Sequence, residues 1–247
     1  MKNKVTTLKE NTVPIDFETL YLRLRDQENR IYSDEEVSQL PAIASIHPHY
    51  KEWRVRNDSS QKLIRYLKKR NQSNDIMEIG CGNGWLSHRL SAIANSRVIG
   101  TDINFLEIQQ AARVFQNITS LHFIYAPGDS DFFKEKRFNT IVFAASLQYF
   151  ESLTRIINNT LRLLKPDGEI HIIDSPFYSK PELPAAKQRS RVYFETAGFP
   201  EMVNYYFHHS LDDLKIYNYS ILHGPKKIVN KFSRIKNPFY WIRIQPK

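Results

Sequence analysis

Between residues 75 and 174 the chain alternates between two hydrophobic periods, and that alternation restricts the fold more than any other feature. Short apolar runs rich in Ile, Val and Phe occupy residues 75–79, 97–101, 120–125, 138–144 and 169–174, the composition of strands buried on both faces. Helical stripes lie between them: Leu86, Leu90 and Ile93; then Ile108, Ala112 and Phe115; then Leu153, Ile156, Ile157, Leu161 and Leu164, closed by Pro166 and Gly168. Strand, helix, strand in this order predicts an α/β fold with a mostly parallel sheet. Right-handed crossovers then cover both faces of it with helices.

The flanks follow other rules. Phe17, Leu20, Tyr21 and Leu24 share one helical face, Ser33 with Glu36 forms a candidate capping box, and Leu63, Ile64 and Leu67 predict a helix leading into the first strand. Having no strand partner, residues 1–57 read as a helical cap or lid on a domain of residues 58–247. Residues 203–208 and 239–245 read as two more strands, with Pro238 marking where the second begins, so that 209–238 become an insertion in a terminal hairpin.

A chain of 247 residues that is 41% hydrophobic can bury a substantial core. No run approaches the roughly 18 to 20 apolar residues that span a bilayer, and the polar start lacks the apolar stretch of a secretion signal, so a cytoplasmic protein without a membrane span is expected. Cys81 is the single cysteine, which excludes intramolecular disulfides and cysteine-rich zinc sites. The net charge of +9 is local: Lys215, Lys226, Lys227, Lys231, Arg234, Lys236, Arg243 and Lys247 follow Asp213 with no acid among them. Without those eight, 27 basic residues face 26 acidic ones.

Of only eight glycines, three fall in the stretch EIGCGNG at residues 78–84, between a predicted strand and a predicted helix. Glycine there permits unusual backbone angles and lets a ligand press against main chain. A dinucleotide site wants its third glycine five residues after the first, where Trp85 stands and an indole would block the approach. Asp102 ends the second strand, placed to accept from two ribose hydroxyls.

EIGCGNG, TDIN at 101–104, GDSDFF at 128–133, FNTIVFAASLQYF at 138–150 and LKPDGEIHIID at 164–174 resemble, in order, the motifs of class I S-adenosylmethionine-dependent methyltransferases of the kind grouped as type 11. The resemblance implies a Rossmann-like, seven-stranded, mostly parallel sheet with an antiparallel terminal hairpin, and S-adenosylmethionine as cofactor. It implies that Gly80, Gly82 and Gly84 line the methionine portion and that Glu78 reaches its ammonium. Asp102 would hold the ribose, Ile103 would lie against the adenine, Asp129 would accept from the adenine amino group beside Ser130, and Ala144 to Ser146 would border the sulfonium. Asn139 stands where the family usually has aspartate.

The reaction so implied is methyl transfer in line to an O, N or C nucleophile, for which alignment alone supplies several kcal/mol. Three exclusions follow from residues. Ala145, Ser146, Leu147 and Gln148 replace the Asp/Asn-Pro-Pro-aromatic tetrad of enzymes that methylate adenine or glutamine; Cys81 sits in the cofactor loop, unlike the nucleophile of pyrimidine C5 methylation; and the fourth strand lacks the following carboxylates of metal-dependent catechol-type enzymes. No metal is expected. Candidate bases are His47 and His49 in HPHYKEW, placed to fold over the opening, and Tyr149 after the fourth strand. The leading expectation is a small-molecule acceptor. Alternatives are RNA, bound through the basic C-terminal segment with Phe232, Phe239, Tyr240 and Trp241, and a domain that binds the cofactor without turnover. The sequence leaves the oligomeric state open.

Overall fold

The computed structural model describes residues 6–7, 15–70, 74–133, 138–225 and 235–247. Its N-terminal part comprises β1 (Thr6–Thr7), α1 (Ile15–Gln27), α2 (Asp34–Gln39) and α3 (Tyr50–Lys69). Then β2 (Asn74–Ile79), α4 (Trp85–Ser91), β3 (Ser96–Asp102), α5 (Phe105–Val114), β4 (Leu121–Tyr125), β5 (Phe138–Ala144), α6 (Leu153–Leu161) and β6 (Leu164–Ile173) alternate. The last part holds β7 (Phe177–Tyr178), α7 (Leu183–Thr196), β8 (His209–Ser210), β9 (Asn218–His223) and β10 (Trp241–Gln245).

The main sheet runs β1-β4-β3-β2-β5-β6-β10-β9, seven strands with the two-residue β1 added at one edge. Strands β4, β3, β2, β5 and β6 are parallel; β10 returns antiparallel against β6 and pairs antiparallel with β9. Every residue of β5 is buried, which is why its sequence reads as an uninterrupted apolar run. The strand order reverses between β2 and β5, so the loops leaving these two neighbours diverge and open a crevice at their carboxyl ends.

Local signals set the helix ends. Ser33 and Glu36 make the capping box of α2, with Ser33 Oγ accepting from Glu36 N and Glu36 Oε2 from Ser33 N. Asn104 and Ser152 cap α5 and α6 through Glu107 N and Arg155 N.

The flanks depart from the sequence expectations in two places. The hairpin strand paired with β10 is Asn218–His223, not residues 203–208. That earlier stretch enters a 3-10 helix, Pro200–Tyr205, whose Met202 is buried with Leu24, Phe194 and Phe199. The hairpin connection is therefore 224–240 rather than 209–238. Helix α3 also crosses residue 57 without interruption, and Tyr32, Val37, Leu40 and Trp53 share one core with Leu63, Leu86 and Val98. Among the described residues, no helix is long and apolar enough to cross a membrane.

Candidate active site

The crevice between β2 and β5 is built from the glycine loop. Gly80 has φ +74°, and a Cβ there would lie 2.4 Å from that of Ser146. Ser146 Oγ donates to the Ile79 carbonyl at 2.7 Å, so the missing side chain lets the two strand ends lie together. Gly82, at φ +52°, opens onto the Glu107 carboxylate, and its N–H donates to Asp102 Oδ2 at 2.7 Å. Above the loop is a cavity of about 260 Å³ whose wall includes Gly80, Gly82, Asp102, Ile103 and Gly128. Phe17 and Tyr21 of α1 roof it. A smaller cavity of about 90 Å³ adjoins at Gly80 and Gly82 and reaches Glu78, Ala144 and the guanidinium groups of Arg25, Arg30 and Arg56.

The acids here are poised by burial. Glu78 is almost wholly enclosed, and burial pushes its carboxyl up to about 8 although Ser87 Oγ donates to it at 2.5 Å. Burial and the neighbouring Asp102 push Glu107 up to about 7. Burial raises Asp102 as well, against the N–H groups of Gly82 and Asn104 that favour its anion. On the opposite wall, burial works against Glu52, yet Arg56 and Arg30 hold it down at about 2.

The sequence candidates divide by place. Glu78, Gly80, Gly82, Asp102, Ile103, Ala144 and Tyr149 border one or both cavities. Gly84 borders neither: a Cβ there would meet Phe123 at 2.5 Å and Ala111 at 2.9 Å, so its bare backbone serves helix packing. Asp129 turns to α6, accepting from Asn159 Nδ2 at 3.2 Å with Arg155 at 3.5 Å, and Ser130 Oγ accepts from Phe132 N. His47 Nδ1 accepts from His49 N, and His49 Nε2 donates to the Glu28 carbonyl at 2.7 Å. His49 ties the end of α1 to the start of α3, His47 packs beside Tyr32, and neither borders the two cavities. Tyr149 accepts from Arg25 Nη2 at 3.1 Å.

Cys81 is buried, and burial followed by Asp102 and Glu78 pushes its thiol well up, the opposite of an activated nucleophile. Asn139 accepts from Asp75 N and Lys165 Nζ and so joins two strands at the far end of the sheet. Trp241 Nε1 donates to His171, and its ring packs against Tyr66, which occupies it within the fold. Lys226, Lys227, Lys231, Phe232 and Arg234 lie outside the described residues. Among those described, no group of three or more His, Cys, Asp or Glu is placed to hold a metal ion.

Several site residues escaped the sequence reading: Arg25, Arg56 and Glu107. Glu107 carried one usable signal, since it falls five residues after Asp102 on a helix that starts at the strand tip. Arg25 lies four residues after Tyr21 on the face of α1 that meets Tyr149. Its role shows only once α1 is laid across the crevice.

The pieces fit a nucleoside with a zwitterionic tail. Bare main chain at Gly82 and a carboxylate at the tip of β3 suit a sugar; an enclosed acid and three arginines in the smaller cavity suit an ammonium and a carboxylate. Residues 76–168 match a methyltransferase domain family. The chain is 29% identical over 118 residues to malonyl-[acyl-carrier protein] O-methyltransferase of Bacillus anthracis, an alignment spanning 46% of this chain and 43% of that one. It therefore spans less than half the length of that relative.

Among solved structures, the magnesium protoporphyrin IX methyltransferase of Synechocystis with bound S-adenosylhomocysteine superposes with a TM-score of 0.60. The identity is 14%, and 93% of this chain and 99% of that one are covered. The PH0226 protein of Pyrococcus horikoshii gives 0.54 at 21% identity, covering 82% and 97%. A methyltransferase-domain match that begins in β2 and ends in β6, on a sheet with this strand order, makes residues 76–168 similar to S-adenosylmethionine-dependent methyltransferases, and S-adenosylmethionine is the cofactor that the crevice fits.

Proposed function

We propose that the protein transfers a methyl group to an O, N or C atom of a small molecule. When bound, S-adenosylmethionine supplies an electrophilic methyl on a sulfonium centre. The chain's own residues then bind and align. Asp102 accepts from the ribose hydroxyls, the Gly80 and Gly82 main chain admits the tail, Glu78 takes the ammonium, and Ala144 with Ser146 borders the reacting centre. Phe17 and Tyr21 exclude water from above, which strengthens each polar contact beneath them.

The observation that carries this reading is the partly enclosed cavity of about 260 Å³ with Asp102 on its wall and bare glycine backbone beside it. The cover that α1 provides favours a small acceptor over a polymer. Isothermal titration with S-adenosylhomocysteine tests the assignment: Asp102→Ala should weaken binding by at least about tenfold, the loss of a charge-assisted hydrogen-bonded pair. Equal affinity in the two proteins removes Asp102 from the site. Incubation with radiolabelled cofactor and a metabolite extract should then place label in a low-molecular-weight product; label on RNA, or none transferred, contradicts the small-molecule reading.

A further inference from the structure

Past Tyr149, between α1 and α7, lies a further cavity of about 350 Å³, lined in part by Arg25, Gln148, Tyr149, Arg189, Tyr193 and Tyr206. It shares Tyr149 with the larger cofactor cavity and Arg25 with the smaller one. An occupant therefore sits beside the crevice, against the side chains of Tyr149 and Arg25.

Three observations define what that occupant must be. First, the walls carry two guanidinium groups and one acid, Glu28. That acid is already engaged by Arg25 at 2.9 Å, by Arg30 at 3.0 Å and by the Tyr193 hydroxyl. A single shared negative charge leaves the cavity cationic. Second, Tyr149, Tyr193, Phe194 and Tyr206 give it aromatic walls, several of them packed edge to face, which suit a flat ring. Third, Gln148 is 7% exposed; its Nε2 donates to the Ala145 carbonyl at 2.6 Å while its Oε1 is buried with no partner among the described residues. A buried acceptor left unpaired beside a cavity calls for a donor from outside the chain.

We propose that this cavity binds the methyl acceptor and that the acceptor is a small aromatic carboxylate carrying a hydroxyl group. Its anion pairs with Arg25 and Arg189, its ring lies against the tyrosines, and its hydroxyl donates to Gln148. Arg25 keeps donors free for this after serving Glu28 and Tyr149, because a guanidinium has five. The word acceptor rests on the methyltransferase reading; the binding site does not.

Titration of 3-hydroxybenzoate and 3-hydroxybenzamide into the full chain, with and without saturating S-adenosylhomocysteine, tests it. The carboxylate should bind at least about tenfold more tightly than the neutral amide, and Arg189→Gln should shrink that preference several-fold while leaving S-adenosylhomocysteine affinity unchanged. Equal binding of the two probes, no binding of either, or a preference that survives Arg189→Gln overturns the proposal. Failure of S-adenosylhomocysteine to bind counts against the methyltransferase reading alone, since the comparison made without it still decides what the cavity holds.

Discussion

A carboxyl group shut away from water prefers to keep its proton, and Glu78 shows what that means for a binding site. The folded chain holds this proton up to about pH 8, whereas an unperturbed glutamate releases it near 4.5. Between those values the folded state binds more protons than the unfolded one, so Glu78 subtracts stability as pH rises through the window. A ligand ammonium reverses the preference by favouring the anion. S-adenosylhomocysteine affinity should therefore rise from pH 6 to 8, at most about tenfold per unit, and level off above that, with proton release on binding. Glu78→Gln keeps an acceptor for Ser87 and removes the cost of holding a proton on a buried carboxyl. At pH 7.5 it should melt about 2–6 °C higher, an effect of roughly 1–2 kcal/mol, and bind S-adenosylhomocysteine more weakly with a flat pH profile. Calorimetry in buffers of different ionisation enthalpy, beside thermal melts, measures both halves; affinity that drops as pH rises, or a variant that melts lower, contradicts this account of Glu78.

At the scale of elements, α1 decides how the crevice is roofed, and one hydrogen bond pins it. Glu18 Oε1 accepts from Phe105 N at 2.6 Å, satisfying the first free N–H of α5 at the positive end of its dipole, while Asn104 satisfies the third. Glu18→Ala should cost about 1 kcal/mol of docking, weaken S-adenosylhomocysteine binding about fivefold, and speed amide exchange in α1 while α5 stays protected. Exchange that quickens equally in both helices would show that Glu18 only stabilises α5. The sequence displayed α1 as an amphipathic face but not its division: Leu24 packs toward Phe194 and Met202, while Phe17 and Tyr21 line the cavity. Strands β2 to β5 were legible because burial on both faces writes an apolar run. The start of β6 was not, since Pro166 and Gly168 look like a helix stop yet sit where the β5 register shifts between Phe138 and Thr140. Aromatic and β-branched residues at 203–208 imitate a strand, but Pro200 starts a 3-10 turn that buries Met202. Glycine spacing and a strand-tip acid mark a site locally; Arg25 and Arg56 belong to it through tertiary proximity, which leaves no period to read.

Across the whole molecule, the cap and the sheet are joined by more than contact. A chain of ion pairs, Arg25–Glu28 at 2.9 Å, Glu28–Arg30 at 3.0 Å, Arg30–Glu52 at 2.7 Å and Glu52–Arg56 at 2.8 Å, runs from α1 to α3 along the smaller cofactor cavity. Three arginines against two glutamates leave one positive charge, which matches one carboxylate on a bound tail. Beneath it Trp53 packs edge to face on Trp85, the first residue of α4, and donates from Nε1 to the Tyr32 hydroxyl at 2.8 Å. The helix that carries Trp53 also carries Leu63 and Leu67 into the core under the sheet. A boundary at residue 57 would cut that helix, strip Trp85 of its cover and remove the whole chain of arginines and glutamates. Residues 58–247 expressed alone should therefore fail to reach a native state: exclusion chromatography should show aggregates, and the full chain should melt in one cooperative transition with no separate step for the cap. A monomeric fragment with a sharp melt and intact S-adenosylhomocysteine binding would make residues 1–57 a detachable lid; the shared core of Tyr32, Trp53, Leu63 and Leu86 argues instead that α2 and α3 fold together with the sheet.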